Sequence, residues 1–368
     1  MKLKNLTIAV VILFLASVAV YVANRPAKLA GADPRIGHPI VDRTVLGKAA
    51  RLTLETSGKQ VVISKSPSGG WVVSNYYDLP VDFSKLTQFV DQLQKAKIDR
   101  FVTTDPERIA HYQFGNDSVS LADASGKTLW SLDLGKTTDA GGRLIRFHGG
   151  KKVFLSRMNL WMDSSAQNWA DSTLVSLKLD DVKGITLSFP SGKSLDLVRA
   201  KAGAPFQIQG PSPSGRQLDP QKVDALLTSV TTLRFSGTDA PDSPKVKDAE
   251  KHSRLVVLHT FGGKDWRLTF SQTPPTPKAA AKAAAKAQIA TPANPAPGAT
   301  PPVFLNVACS DAKAPINQLM TRRAFEIYDY SYTSLPKTVD DLMLPPPPKP
   351  AAPAVKTTAA AHPQPSKK

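Results

Sequence analysis

Trp130-Ser131-Leu132-Asp133-Leu134 alternates apolar and polar side chains, and the pattern recurs in the second half as Trp266-Arg267-Leu268-Thr269-Phe270. Period-two alternation marks a strand that buries one face. Just before each stretch stands a small turn, Gly126-Lys127 and Gly263-Lys264, and before each turn another apolar run. Those runs align as Val119-Ser120-Leu121 and Leu255-Val256-Val257, so each half predicts an antiparallel hairpin.

Further upstream the correspondence continues. Leu52-Thr53-Leu54, Gly58-Lys59, Val61-Val62-Ile63 and Gly70-Trp71-Val72-Val73 match Ile185-Thr186-Leu187, Gly192-Lys193, Leu195-Asp196-Leu197 and Phe206-Gln207-Ile208. A helix is predicted after each set. Asp82 opens one, with Phe83, Leu86, Val90 and Leu93 at helical spacing. Asp219-Pro220 opens the other, with Val223, Leu226, Leu227 and Val230 on one face. Asp accepts from the free amides of a first turn, and proline suits the first helical position because its missing donor is not needed there. Downstream, Val153-Phe154-Leu155 is matched to Val303-Phe304-Leu305. The order of matches predicts a tandem duplication: an α+β fold of two related units, each an antiparallel sheet plus helix.

The 368 residues leave room for two such units at about 150 residues each. Residues 49–180 are expected to form the first and 181–344 the second, with a Pro/Ala/Lys insertion at 273–302 and a Pro-rich basic tail at 345–368. Insertion and tail hold 16 of the 31 prolines, which frees the rest of the chain for regular structure. Neither has the large apolar groups a core needs, so both are expected to be solvated. Tyr328, Tyr330 and Tyr332 alternate, which predicts a closing strand with an aromatic face.

Residues 6–23 carry no charge and are broken only by Thr7 and Ser17. Eighteen residues at ~1.5 Å rise approach the thickness of a hydrocarbon core. Residues 1–24 are therefore expected to be a transmembrane anchor, with Leu6, Ile8, Val11, Ile12, Leu13, Phe14, Leu15, Val18, Val20 and Tyr21 meeting lipid. Lys2 and Lys4 place the N-terminus in the cytoplasm under the positive-inside bias, and the bulk in the periplasm beyond a bacterial inner membrane. A secretory signal cut after Ser17-Val18-Ala19 is the alternative, and it exports the chain equally. Residues 25–48 are expected to be a tether.

The charge is +17, from 47 Lys and Arg against 30 Asp and Glu. Such an excess suits anionic surfaces, and export disfavours nucleic acid. Lys278, Lys282 and Lys286 recur every four residues among alanines and are the candidate anionic-surface contacts. Cys309 is the one cysteine, which rules out an internal disulfide and suits a small buried residue. His38, His111, His148, His252, His259 and His362 show no metal-ligand spacing, and no nucleophile-elbow motif occurs. Gly149-Gly150-Lys151-Lys152 lacks the Ser/Thr of a phosphate loop and reads as a turn. No catalytic, metal or cofactor residue is assigned, and no cofactor is expected.

From the anchor to about residue 180 the chain resembles a bacterial family known as domain-of-unknown-function family 4340. The resemblance rests on Ala32-Asp33-Pro34-Arg35-Ile36-Gly37, Gly69-Gly70-Trp71-Val72-Val73, Leu79-Pro80-Val81-Asp82, Leu132-Asp133-Leu134-Gly135-Lys136 and Val153-Phe154-Leu155. It implies a single-span envelope protein found beside components of a gliding-motility-type ABC exporter, and no site residue is carried over. The expected function is a non-enzymatic accessory or scaffold subunit of an ABC-type transport complex, partnered by membrane lipid and by envelope or transporter proteins. The alternative is a binding module for an anionic envelope polymer.

Overall fold

A computed structural model describes residues 33–139, 141–210, 215–274 and 301–345. The expected anchor, with the residues from Leu6 to Tyr21 named above, lies outside these residues, as do Lys278, Lys282, Lys286 and nearly all of the tail. Among the described residues no helix is long and apolar enough to cross a membrane. The chain divides into two compact units, residues 1–172 and 173–368.

In the first unit α1 (Arg43–Lys48) leads into β1 (Arg51–Thr56), β2 (Lys59–Lys65), β3 (Trp71–Val73) and β4 (Leu79–Pro80). Then come α2 (Phe83–Lys95), β5 (Arg100–Thr103), α3 (Pro106–Ala110), β6 (Asp117–Ala122), β7 (Thr128–Thr137), β8 (Arg143–Phe147), β9 (Val153–Ser156) and α4 (Ala166–Trp169). The sheet order is β4-β3-β2-β1-β6-β7-β8-β9-β5.

The second unit runs β10 (Thr173–Ser176), β11 (Val182–Ser188), β12 (Ser194–Val198), β13 (Gln207–Ile208), α5 (Pro220–Thr231), β14 (Thr232–Asp239) and α6 (Pro244–Glu250). It continues with β15 (Ser253–Thr260), β16 (Asp265–Gln272), β17 (Val303–Cys309), α7 (Pro315–Leu319), β18 (Ala324–Ile327) and α8 (Asp329–Thr333). Its order is β10-β14-β18-β17-β16-β15-β11-β12-β13. Read from the opposite end, this is the first sheet again. The two share a run of eight strands, to which the first unit adds β4 at one edge and the second adds β10 at the other. Antiparallel pairing holds throughout, and the fold class is α+β as expected.

Local chemistry explains the repeated parts. Gly126 and Gly263 take φ of 87° and 74° in the equivalent hairpin turns, a conformation cheap only for glycine. Asp82 accepts from the Lys85 amide at 3.1 Å and Asp219 from the Gln221 amide at 3.0 Å, so each starts its helix. Each helix start is then tied to the end of its own unit. Asp82 N–H donates to the Trp169 carbonyl at 2.7 Å, and Asp219 N–H to the Leu342 carbonyl at 2.9 Å. Lys85 and Lys222, three residues past these caps, donate to the carbonyls of Asn168 at 2.6 Å and Met343 at 2.9 Å.

The cores follow the alternation. Leu52, Leu54, Val61, Ile63, Leu132 and Leu134 are buried in the first unit, and Ile185, Leu187, Leu195, Leu197, Leu268 and Phe270 at the matching places in the second. Each such side chain contributes about 1.5–3 kcal/mol on leaving water. Cys309 is buried and free.

Several expectations need correction. Val153–Leu155 is not the counterpart of Val303–Leu305. Phe154 lies opposite Ile145 and Phe325 opposite Leu305, so β9 corresponds to β18 and β17 corresponds to β8. The tripeptides coincide because both are fully apolar runs. Register also shifts the first hairpin match by one: Leu121 faces Trp130 as Leu258 faces Trp266, so Val119–Leu121 pairs with residues 256–258. A bulge between Leu121 and Ala122 absorbs the difference.

The alternating tyrosines form no strand. Only β18 is extended there, and α8 carries Tyr330, which stacks with Tyr328 at 5.9 Å on the surface. On α2 Phe83 is exposed and Phe89 takes the core position expected of it, because one helical face cannot hold both. The tether is shorter than expected. Residues 33–48 contain α1, and Ile40 and Val41 are only 2% exposed. Residues 173–176, placed within the first unit by the sequence reading, form β10, which pairs with β14 of the second.

Candidate functional site

A helix crossing a sheet leaves a groove where the sheet twists away from it. Both units have one at the same place, between the helix, the aromatic strand (β3 or β13) and the turn that enters the first strand. In the first unit Leu46, Trp71, Phe83, Leu86 and Val90 line a cavity of ≈ 220 Å³. The second unit presents Leu179, Phe206, Pro220, Val223 and Leu227 at the matching positions, around ≈ 880 Å³. The two units therefore present equivalent grooves of different size.

The aromatic wall is built alike in both. Lys65 lies opposite Trp71 in the β2–β3 pairing and holds its ammonium 5.5 Å from the ring centroid. Arg199, the residue matching Lys65, sits 4.8 Å from the Phe206 centroid. A cation over a ring face is attracted by the ring quadrupole, which keeps each ring upright as a wall. Arg199 is buried and donates to the carbonyls of Val182, at 2.7 Å, and Leu179. Arg216, on the opposite side, pairs with Asp340. Both guanidinium groups are thus taken up within the fold. Asp180 and Asp224 at the rim have no side-chain partner among the described residues, so the unpaired charge of this groove is negative.

The second groove is larger where, among the described residues, a strand is missing. In the first unit β4 pairs with β3, Val72 facing Pro80 and Val73 facing Leu79. Val81 N–H completes the closure by donating to the Trp71 carbonyl at 3.0 Å. Residues 216–218 hold the corresponding places in the second unit, but among the described residues they do not pair with β13. Leu218 bridges to Met343, as Val81 bridges to Ala170, while its amide makes no bond to Phe206. The groove opens in the gap so left.

Three other clusters bring polar and charged side chains together. On the second sheet Thr186 lies 3.2 Å from His259, which lies 2.8 Å from Asp265. The spacing resembles a hydroxyl relay, yet the Thr186 hydroxyl gives its only proton to Asp196 at 2.5 Å. In the first unit a depression of ≈ 390 Å³ is lined by Arg100, Arg108 and Lys136 with Tyr112 and Thr138. At the start of the described chain Asp33 accepts from Arg35 at 2.8 Å and Lys152 at 2.9 Å, which hold its carboxyl well below the usual carboxylate range. Arg35 in turn lies over Phe147 and Phe154 at 5.1 and 4.6 Å. Among the described residues no His, Cys, Asp and Glu group is arranged to hold a metal ion.

The lysines singled out from the sequence lie outside the described residues, and the grooves were not anticipated. Trp71 and Phe206, matched in the sequence, are both half-buried groove walls. Trp130 and Trp266 are likewise half-buried. A usable signal was present in the repeat: Lys65 with Trp71 and Arg199 with Phe206 occupy the same places, while Leu79-Pro80 is replaced by Arg216-Gln217.

The family model described as Domain of unknown function (DUF4340) matches residues 71–253. That span starts in β3 and ends at the first residue of β15, so it takes in the helices and aromatic walls of both grooves. No curated protein and no solved structure matches the chain.

Proposed function

We propose, from the premise that this chain belongs to the DUF4340 family of domains of unknown function, that it is a non-enzymatic scaffold of the bacterial envelope. The anchor at residues 1–24 holds it in the inner membrane with the N-terminus cytoplasmic, and both units work in the periplasm. There it serves as an accessory subunit of an ABC-type transport complex, of the kind the gliding-motility neighbourhood suggests. The observation that carries this reading is the duplicated groove. One chain presents two docking places of common design and different size, ≈ 220 and ≈ 880 Å³, as a protein that holds two partners, or two parts of one, requires. Purification of the full chain from membranes, anchor intact, should bring down transporter subunits. Trp71→Ala and Phe206→Ala should each deplete a different part of the captured set. Capture of nothing beyond the chain itself, or losses identical in both variants, overturns the reading.

A second reading, an anionic-polymer module, is favoured by the Arg100, Arg108 and Lys136 depression. The distribution of charge weighs against it. Among the described residues 36 cations face 30 anions, and the remaining 11 cations, Lys278, Lys282 and Lys286 among them, stand outside. If polymer binding is the function, replacing those three lysines by Gln should weaken it, and more so at low salt, since screening sets in beyond roughly 10 Å at 0.1 M.

A further inference from the structure

We propose that the groove of the second unit is a strand-addition site, which takes an extended peptide segment of a partner protein, bearing lysine or arginine, against the outer edge of β13. The proposal rests on the scaffold reading and names the class of partner for one of its two grooves.

The first unit supplies the template. Its β3 edge is covered by β4, with pairs Val72 to Pro80 and Val73 to Leu79. Trp71 and Val73 are the residues whose backbone groups turn towards β4, since Ser74 N–H bonds the other way, to Val62 at 2.7 Å. The second unit keeps this phase: Gln209 N–H bonds to Asp196 at 2.8 Å, so Phe206 and Ile208 turn outward. Among the described residues no strand receives them, because β13 ends its sheet. An open edge of this kind is a template for another chain.

Three further observations define the occupant. The gap lies between the outward groups of β13 and the Leu218 amide, whose counterpart bonds across in the first unit, so an inserted backbone finds donors and acceptors on one wall and a donor on the other. Leu179, Phe206, Val223 and Leu227 offer apolar surface for side chains such as the leucine and proline of β4. Asp180 and Asp224 are unpaired at the rim, whereas Arg199 and Arg216 are already engaged, so a cationic segment is preferred over an acidic one.

The probe is residues 78–82 of the first unit, Asp-Leu-Pro-Val-Asp, made as a labelled peptide with Asp78→Lys and Asp82→Lys, and titrated into the full chain. Saturable binding is expected, with the unaltered acidic peptide about tenfold weaker at low salt. Ile208→Pro removes the outward amide, and proline is tolerated on an edge strand. That variant should melt near the wild-type temperature and bind about tenfold less tightly. Asp224→Lys, on the exposed side of α5, keeps the test open should Ile208→Pro misfold, and should weaken the lysine peptide severalfold. Equal affinity of the two peptides, or full binding by Asp224→Lys or by a folded Ile208→Pro, overturns the proposal. Binding seen only after deletion of residues 346–368 also overturns it, because the chain's own tail is then the occupant. Membrane capture of transporter subunits by Ile208→Pro at wild-type levels would leave the scaffold reading standing and remove this site alone.

Discussion

Lys152 donates to Asp33 at 2.9 Å across 119 residues of sequence, fastening the first described residue to the turn between β8 and β9. Arg35 completes the clasp with two bonds to the same carboxylate, at 2.8 and 2.9 Å, and lies over Phe147 and Phe154. What reads as a tether is, from Asp33 onward, part of the first unit.

The clasp predicts an acid response. Hydrogen bonds from Arg35 and Lys152 lower the Asp33 pKa below its unfolded value. A carboxylate with a depressed folded pKa contributes stability above the unfolded pKa, near 4, and loses it as pH falls toward the folded one. Asp33→Asn should therefore cost about 1.5–3 kcal/mol at neutral pH. Its stability should also fall less steeply than wild type below about pH 4. Urea melts of both proteins at pH 7 and pH 3 check this, and parallel losses on acidification would contradict it.

Trp169 should dominate the stability of the first unit. It is fully buried, meets Phe89 edge-on at 5.7 Å and donates to the Asp163 carbonyl at 2.7 Å. Trp169→Ala should cost about 3–5 kcal/mol, as large core truncations do. Trp161, 53% exposed beside it, should change stability by no more than about 0.5 kcal/mol on truncation. Denaturant midpoints that rank the two the other way would refute the packing.

Residues 275–300 sit in the hairpin between β16 and β17, where Gln272 pairs with Val303. The equivalent turn of the first unit, between Thr137 and Arg143, is short. Replacing residues 276–299 by a few Gly and Ser should leave the second unit folded. Stability should rise by no more than about 1–2 kcal/mol, since loop entropy grows only logarithmically with length. A clear fall in melting temperature would show that the insertion holds the unit together.

A reporter active only outside the cytoplasm, fused after Lys368, should be active in cells and should sediment with membranes. The warrant is the uncharged stretch 6–23 behind Lys2 and Lys4. An inactive reporter defeats the orientation; an active but soluble one points to cleavage near Ser17-Val18-Ala19.

The repeat was legible because alternation, glycine turns and aspartate caps are local signals, and all three occur at matching places. Asp82 and Asp219 do cap helices, and the four apolar residues expected on α5 are all buried. The misjudged parts depend on distant partners. Val303–Leu305 reads like Val153–Leu155 because every residue in both is buried, and a run without alternation carries no register. Tyr330 belongs to a helix because the strand before it ends once β18 has no more of β17 to pair with, at Ile327 opposite Val303. The groove was invisible for a different reason. It comes from pairs that form in one unit and fail to form in the other, and single-sequence patterns do not show that difference.

The bonds from Asp82 to Trp169 and from Asp219 to Leu342 also set a timetable. Each unit joins the start of its helix to a segment near its own last residues, so neither is complete until those have emerged. A chain delivered N-terminus first can finish the first unit once residue 171 is out, while the second is still in transit. The second waits for Leu344, whose amide bonds to Gln217 at 2.9 Å. A ribosome or a translocation channel that pauses between these points leaves the second sheet half-finished while the first is already finished.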